Sequence, residues 1–236
     1  MMTGRSGGIA IEMNEQEKTE TEWPGRKEES AEDRALAWKQ RKVEHVVRDQ
    51  WIDFRRIQYE LPDGSVYEPF YSYSRRSYVV VVASDEEGRF LCVRQYRPGI
   101  RAVTTEFPAG GIERRGTAEY GEPEVTGYED GTAAEDALSA AKRELREETG
   151  YTSEEWTPLI AIPSCASISD NYAYIFRAKH CRRVSGLKLD ETEFLKVHSY
   201  TAEELDTLIR KGQFQQAVHV MAWLLGREQE AGRQYL

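Results

Sequence analysis

Three glutamates in the middle of the chain have the spacing that brings carboxylates together on one side of a helix. The stretch from Thr132 to Tyr151 has the sequence TAAEDALSAAKRELREETGY. At 100° per residue, Glu144, Glu147 and Glu148 fall within a sector of about 100°. Like charges so placed repel by about 0.2–0.5 kcal/mol per pair, and a divalent cation bound through oxygen reverses that cost. The cluster therefore predicts a metal site, with a solvated acidic helix as the alternative.

The same stretch carries the signals of the helix that must position these carboxylates. Thr132 is a suitable N-cap, and Glu135, three residues later, is placed to complete a capping box. Gly150 stands where a helix commonly ends in the left-handed conformation. An apolar stripe for packing on a core is formed by Ala134, Leu138, Ala141 and Leu145.

A longer pattern surrounds the glutamates: one glutamate, seven residues, and then RELREETGY. This pattern resembles the Nudix box of the Nudix hydrolases, Gly-x5-Glu-x7-Arg-Glu-U-x-Glu-Glu-x-Gly-U, where U is a bulky apolar residue. The matching positions are Glu135, Arg143, Glu144, Leu145, Glu147, Glu148, Gly150 and, at the last U, the aromatic Tyr151. The resemblance implies that Arg143 pairs with Glu135 and orients the loop and helix rather than taking part in catalysis.

The glycine that opens the box departs from the pattern. Position 129, six residues before Glu135, is a glutamate, and the glycine of the family matches Gly110 in the segment EFPAGGIE instead. Residues 114–132 are then an insertion beside the helix. The insertion is either a passive surface loop or a lid that contributes to specificity, since loop length adds little to closure entropy.

The segments around the box narrow the resemblance to one branch of the family. VRQYRPG (93–99), EFPAGGIE (106–113) and DETEF (190–194) resemble the ADP-ribose pyrophosphatases, over about residues 51–225. The implied activity is hydrolysis of the pyrophosphate bond of ADP-ribose or a related nucleoside diphosphate sugar, giving a nucleoside monophosphate and a sugar phosphate. The alternatives are another Nudix substrate, such as GDP-mannose, another sugar nucleotide or a dinucleotide, and a non-catalytic metabolite sensor.

The resemblance also implies the cofactor and the groups that act on water. Mg²⁺, or Mn²⁺, is expected on the metal ligands Glu144, Glu147, Glu148 and the Ala109 carbonyl. Metal ions of this kind polarise phosphoryl oxygens and lower the pKa of bound water. The resemblance implies two catalytic residues, Glu147 and Glu193. By motif position, Glu193 is the base that takes the proton of the attacking water, and Glu191 is the rival assignment for that base.

Three further residues are candidates for substrate binding. Arg97 is a candidate phosphate or ribose contact, because guanidinium groups suit phosphate oxygens, or else it is a surface arginine at the end of a strand. Glu106 is a candidate for binding substrate or a second metal, and a buried ion pair is its alternative. Trp51 either stacks on a purine or packs in the core or a dimer interface.

Composition excludes several classes of protein. The 236 residues carry a formal net charge of −9, which argues against a binder of nucleic acid. The 3 cysteines lack paired spacing, which favours a reducing, cytoplasmic location. The sequence contains no apolar run of membrane-spanning length and no signal-peptide core, so no membrane association is expected. The expected partner is a small nucleoside diphosphate.

The remaining sequence predicts an α/β (α+β) protein, a Nudix-type α/β/α sandwich with a mixed sheet, preceded by a small N-terminal β segment. Residues 1–33 are expected to be a disordered tail. Residues 34–76 are predicted to be a β-rich accessory segment that, by the resemblance, forms a homodimer or else extends the sheet of a monomer. Residues 77–230 form the hydrolase domain, whose strand 78–83 (YVVVVA) is buried on both faces.

Overall fold

The computed structural model describes residues 30–113, 135–189 and 194–230, the last three of these for the backbone alone. The predicted insertion at 114–132 and residues 1–29 of the predicted tail lie outside this part of the chain. A short helix, Ala31–Leu36, begins within the last residues of the predicted tail. Ser30 caps it, with a hydrogen bond from the Asp33 N–H to the Ser30 side chain.

The secondary structure elements follow one another in a β-rich order, and fifteen are described. They are α1 Ala31–Leu36, β1 Lys39–Arg48, β2 Asp53–Glu60, β3 Val66–Ser74, β4 Tyr78–Asp85, β5 Phe90–Arg97, β6 Ala102–Glu106, β7 Ala109–Gly111, α2 Ala137–Thr149, β8 Tyr151–Thr152, β9 Glu155–Pro163, β10 Tyr172–Arg183, β11 Leu195–Tyr200, α3 Ala202–Arg210 and α4 Ala217–Glu230. Within these described elements, no helix is both long enough and apolar enough to span a membrane.

The N-terminal strands β1, β2 and β3 form a separate antiparallel sheet in that order. Trp38 lies on one face of this sheet, where its ring centroid is 5.6 Å from that of Tyr59 and 5.9 Å from that of Phe70. Contacts of the sheet with the rest of the protein include Asp170, which accepts a hydrogen bond of 2.9 Å from Arg55, and the Ile168 carbonyl, which accepts from the Tyr73 N–H at 2.9 Å. The accessory segment is therefore a hairpin-based sheet with its own aromatic cluster.

The main sheet has eight strands, and its central path runs β11-β5-β4-β10-β8, with β6 paired to β5, β7 to β4 and β9 to β10. β10 and β4 are parallel, whereas the other pairs, including β4 with β5, are antiparallel. The predicted mixed sheet is confirmed. β4 lies near the middle of the sheet, and hydrophobic clusters cover both of its faces, which explains its continuous apolar sequence.

Two hydrophobic clusters cover the two faces of the sheet. Val79 and Val81 of β4 pack with Leu145 of α2 on one face. Val80 and Val82 pack on the other face, in the cluster that includes residues of α3 and α4. Helices therefore lie on both sides of the sheet, which confirms the predicted α/β/α sandwich.

Local boundaries differ from the sequence prediction at two places that matter for the site. α2 begins at Ala137 with Asp136 as its N-cap, whereas Thr132 was expected to cap it. Glu135 therefore lies one residue before the N-cap rather than within the first turn, and its carboxylate pairs with Arg143. The segment after Pro108, for which the sequence analysis named no strand, is the short strand β7, since Val79 and Val80 of β4 pair with it.

Candidate active site

Burial of one face of α2 determines where its glutamates lie. Ala141 and Leu145 are fully buried against the sheet. Glu144 and Glu148 lie beside them and are only 7% and 2% exposed, although both carry carboxylates. Burying a charge is costly unless it is paired or binds a metal, so these two side chains require specific partners.

Arg143 supplies several of these partners. Its Nε and Nη2 donate to the two oxygens of Glu135, at 3.1 and 3.0 Å. Its Nη1 donates to Glu144 at 2.8 Å and to Glu147 at 3.1 Å. Nη2 also donates to the Gly111 carbonyl, at 2.9 Å. The guanidinium thus joins the start of α2, the glutamate cluster and strand β7.

The charge of Arg143 is stabilised by this setting. Burial alone lowers the pKa of Arg143, but the hydrogen bond with Glu135 and the charge of Glu144 raise it by more, with a further contribution from Glu147. The net effect is a raised pKa. Arg143 therefore remains a cation, and we assign it the positioning of the carboxylates and of β7.

Strand β7 approaches α2 so closely that a side chain at position 110 would have to displace a glutamate of the helix. The Ala109 N–H donates to Glu148 Oε2 at 2.9 Å. A Cβ atom built on Gly110 would lie 2.0 Å from the carboxyl carbon of Glu144. A side chain at position 110 would therefore occupy the space of a buried carboxylate. This contact gives the match of Gly110 to the first glycine of the box a physical reason.

The metal ligands predicted from the sequence are close neighbours, but they are engaged with protein groups. Glu144 and Glu147 accept from Arg143, and Glu148 accepts from Ala109. Within the described ranges, no three acidic, histidine or cysteine side chains are arranged to hold a metal ion. The donor set nevertheless has the chemistry of a hard-cation site, because all three side chains are carboxylates and two of them converge on one guanidinium. The metal assignment therefore remains a proposal.

Arg97 and Glu106 form a bidentate ion pair with each other. Arg97 Nε is 2.9 Å from Glu106 Oε1, and Arg97 Nη2 is 2.5 Å from Glu106 Oε2. Glu106 is fully buried and also accepts from Gln216, at 3.0 Å. The buried ion pair considered for Glu106 is present. It fixes the direction of the Arg97 side chain, which is 36% exposed.

His219 was not identified by the sequence analysis. It is 2% exposed, and its Nδ1 accepts the Phe107 N–H at 3.2 Å. Burial lowers the pKa of His219 to about 4, with Glu106 acting to raise it and Arg97 to lower it further. The neutral ring thus holds the backbone two residues before Ala109. A histidine without ligand spacing carries no sequence signal for this role.

The structure places the other candidates as follows. Trp51 lies between β1 and β2 and is 66% exposed, so the alternative that it belongs to the core is wrong. Glu193 and Glu191 lie outside the described residues. Lys188, near that segment, donates its backbone N–H to the Glu147 carbonyl at 2.9 Å. Gly150 ends α2 in the left-handed conformation with φ of 78°, as predicted.

Two known proteins are similar to this chain over most of its length. The chain is 28% identical over 173 residues to the ADP-ribose pyrophosphatase of Bacillus subtilis (strain 168), covering 70% of this chain and 80% of the relative. It is 26% identical over 197 residues to the methanol dehydrogenase activator of Bacillus methanolicus, covering 80% of this chain and 92% of the relative.

A solved structure described as an ADP compounds hydrolase superposes with a TM-score of 0.65 at 22% identity, covering 84% of this chain and 97% of its own. The family model of the NUDIX domain matches residues 74–224, from the end of β3 into α4. The chain belongs to the Nudix family and is a Nudix hydrolase. The matched region contains α2, β7 and the Arg97–Glu106 pair.

Proposed function

We propose that this enzyme hydrolyses the pyrophosphate bond of ADP-ribose or a closely related nucleoside diphosphate sugar, giving a nucleoside monophosphate and a sugar phosphate. The observation that carries the proposal is the packing of β7 against α2. It brings Glu144 and Glu148 to the backbone of Ala109 and Gly110. The similarity to the B. subtilis ADP-ribose pyrophosphatase supports the choice of substrate.

We propose a divalent cation, Mg²⁺ or Mn²⁺, as the cofactor. Glu144, Glu147 and Glu148 would hold it, with the Ala109 carbonyl as a further ligand. When bound, such a cation neutralises phosphate oxygens and lowers the pKa of a coordinated water. The positive charge of the cation would offset the repulsion between the anionic substrate and a chain of net charge −9.

The residues of the chain have distinct roles in this proposal. Arg143 holds Glu144 and Glu147 in place, and the Ala109 N–H orients Glu148. The Arg97 guanidinium, oriented by Glu106, contacts a phosphate or ribose oxygen of the substrate. Glu193 accepts the proton of the attacking water, with Glu191 as the rival candidate and Glu147 as the second catalytic carboxylate.

We also propose a cytoplasmic enzyme that acts as a homodimer. Cys92, Cys165 and Cys181 are free thiols, which supports a reducing compartment. Burial raises the pKa of Cys92, and it raises the pKa of Cys181 to about 12, so both remain unreactive thiols. The dimer is supported by exposed aromatic side chains of the N-terminal segment, among them Trp38 and Trp51.

The test is hydrolysis of ADP-ribose and a panel of sugar nucleotides, with Mg²⁺ or with EDTA. We expect AMP and ribose 5-phosphate from ADP-ribose, and no turnover in EDTA. Glu148→Gln keeps the size of the side chain and an oxygen for the Ala109 N–H, but it removes the charge. We expect it to lower kcat more than about 100-fold. Replacing a residue that only hydrogen-bonds to a metal ligand already lowers metal affinity or activity about 10- to 100-fold.

The matched control is Glu87→Gln, which changes the same group at an exposed position in the β4–β5 turn. It should retain wild-type activity. Turnover of another sugar nucleotide alone would replace the substrate and keep the mechanism. No turnover of any diphosphate by folded wild-type protein would contradict the proposal and favour a non-catalytic role.

A further inference from the structure

A cleft of about 540 Å³ lies between α2 and the chain that follows β10. This volume is within the range of about 300–1,000 Å³ that is typical of sites for small molecules. Its walls come from one side of α2, from β8 and from the segment 185–188. The lining residues are Lys142, Arg143, Arg146, Glu147, Thr152, Ser185, Gly186 and Lys188.

The cleft is strongly basic, although the chain as a whole is acidic. Four of the lining side chains are cations and one is a carboxylate, whereas the whole chain has a net charge of −9. Arg143 is already committed to the glutamates of α2. The remaining cations, Lys142, Arg146 and Lys188, are exposed and give the cleft its positive potential.

Lys142 and Arg146 stand one helical turn apart on α2, where like charges repel. Among the residues that the structure describes, no carboxylate lies within salt-bridge distance of either. Their neighbour across the cleft, Lys188, is a third cation. An anion bound between these side chains would reverse the repulsion.

The far wall of the cleft is held in place by backbone contacts. The N–H groups of Val184 and Ser185 donate to the Gly150 carbonyl, at 2.8 and 3.2 Å. The Lys188 N–H donates to the Glu147 carbonyl at 2.9 Å. A Cβ atom on Gly150 would lie 2.4 Å from the Ser185 carbonyl oxygen, so this wall packs tightly on the end of α2. The cleft is therefore preformed.

Glu147 links the cleft to the candidate metal site. One of its oxygens accepts from Arg143 at 3.1 Å, and the other lies 3.6 Å from Lys188 Nζ. The negative charge of Glu147 is thus matched by two cations and does not cancel the charge of Lys142 and Arg146. A ligand in the cleft would lie next to a carboxylate of the Nudix box.

We propose that this cleft binds the phosphate group of a sugar phosphate. The identity of the sugar phosphate, ribose 5-phosphate, rests on the proposed function. The ammonium of Lys142 and the guanidinium of Arg146 contact the phosphate oxygens, and the hydroxyls of Thr152 and Ser185 are available to the sugar. Five of the eight lining residues carry a charge, four of them positive, and this favours a hydrophilic anion as the ligand.

The test is equilibrium binding without turnover, by calorimetry or ³¹P NMR titration of the full chain with ribose 5-phosphate, inorganic phosphate and ribose. We expect ribose 5-phosphate to bind more tightly than phosphate, and ribose not to bind. The double variant Lys142→Gln/Arg146→Gln should raise the Kd for ribose 5-phosphate at least about 10-fold, since each lost contact is charge-assisted.

Two further double variants test whether a change in the Kd comes from the cations of the cleft. Arg210→Gln/Lys211→Gln removes the same charge from exposed positions at the end of α3 and should leave the Kd unchanged. The exchange Lys142→Arg/Arg146→Lys keeps both cations and should retain binding. Because all four positions are exposed, the variants should fold like wild type, which thermal unfolding would check.

An unchanged Kd in the Gln double variant would overturn the site, as would failure of wild type to bind any phosphate. Equal affinities for inorganic phosphate and ribose 5-phosphate would overturn the assignment to a sugar phosphate. These binding results do not depend on catalysis. If wild type binds ribose 5-phosphate but hydrolyses no ADP-ribose, the proposed function fails while the phosphate site stands.

Discussion

Single residues with several partners connect the parts of this site. Arg143 contacts Glu135 before α2, two glutamates within α2 and the carbonyl of Gly111 on β7. A lysine at this position has a single ammonium in place of a planar fork of donors and lacks the geometry for these contacts. The positions of the carboxylates thus depend on the chemistry of one guanidinium.

His219 has an analogous role on the other side of the sheet, and it leads to a prediction about pH. Its folded-state pKa is lowered to about 4, from a normal value of 6.5, mainly by burial. Between these two values the unfolded chain binds more protons than the folded protein, so the stability present above pH 6.5 is lost as the pH falls towards 4. Across this pH range, the protonation of His219 lowers the free energy of unfolding by roughly 3 kcal/mol.

The variant His219→Gln tests this assignment. The amide oxygen of glutamine can accept the Phe107 N–H, and the side chain does not titrate. We expect the urea midpoint of the variant to fall less steeply than that of wild type between pH 6.5 and 4, as measured by circular dichroism. Carboxylates titrate in both proteins, so the difference between the two profiles isolates His219. Parallel profiles would contradict the assignment.

At the scale of elements, the end of α2 controls both the helix and the cleft beside it. Gly150 has φ of 78°, and a Cβ atom there would clash with the Ser185 carbonyl. Gly88, in the turn between β4 and β5, has nearly the same φ of 77° but has nothing within 4 Å of a Cβ. A substitution at Gly88 therefore carries only the cost of the left-handed backbone, whereas the same substitution at Gly150 adds the cost of the contact with Ser185.

We predict that Gly150→Ala lowers the free energy of unfolding by more than Gly88→Ala does. The left-handed conformation costs each variant about 1–2 kcal/mol. Gly150→Ala must in addition displace the segment at Ser185, which packs on the end of α2. Urea unfolding of both variants measures the difference. Equal losses would show that the contact with Ser185 contributes little to stability.

At the scale of the whole molecule, the N-terminal sheet raises the question of self-association. Its strand β1 is exposed along nearly its whole length. Val46 and Val47 are each 49% exposed, and Trp51 is 66% exposed. Exposed apolar side chains on one segment favour contact with another protein surface.

We predict that the protein is a dimer in solution, as measured by light scattering coupled to size-exclusion chromatography. The double variant Val47→Glu/Trp51→Glu should shift the protein towards monomer, because it places charge among the exposed apolar groups. Glu86→Gln, at an exposed site on the β4–β5 turn, is the control and should leave the mass unchanged. A wild-type protein that is monomeric at working concentration would contradict the prediction.

Local sequence patterns determined much of the secondary structure of this protein and the grouping of its glutamates. The periodic apolar positions of α2 and the continuous apolar run of β4 predict their elements, because burial of a face imposes a period on the sequence. The spacing of the box glutamates predicts that they lie together, since helix geometry alone brings i and i+4 onto one side. Gly150 also follows from local preference, because its left-handed φ favours glycine.

Only the tertiary structure decided which distant groups meet. The position of Gly110 against Glu144, the pairing of Arg97 with Glu106, and the hydrogen bond from Phe107 to His219 join segments whose contact no local pattern encodes. The start of α2 also differs from the prediction: Asp136 rather than Thr132 is its N-cap, and Glu135, one residue before it, pairs with Arg143. Helix and strand signals act over a few residues, whereas these contacts depend on how the sheet brings β7, α2 and α4 together.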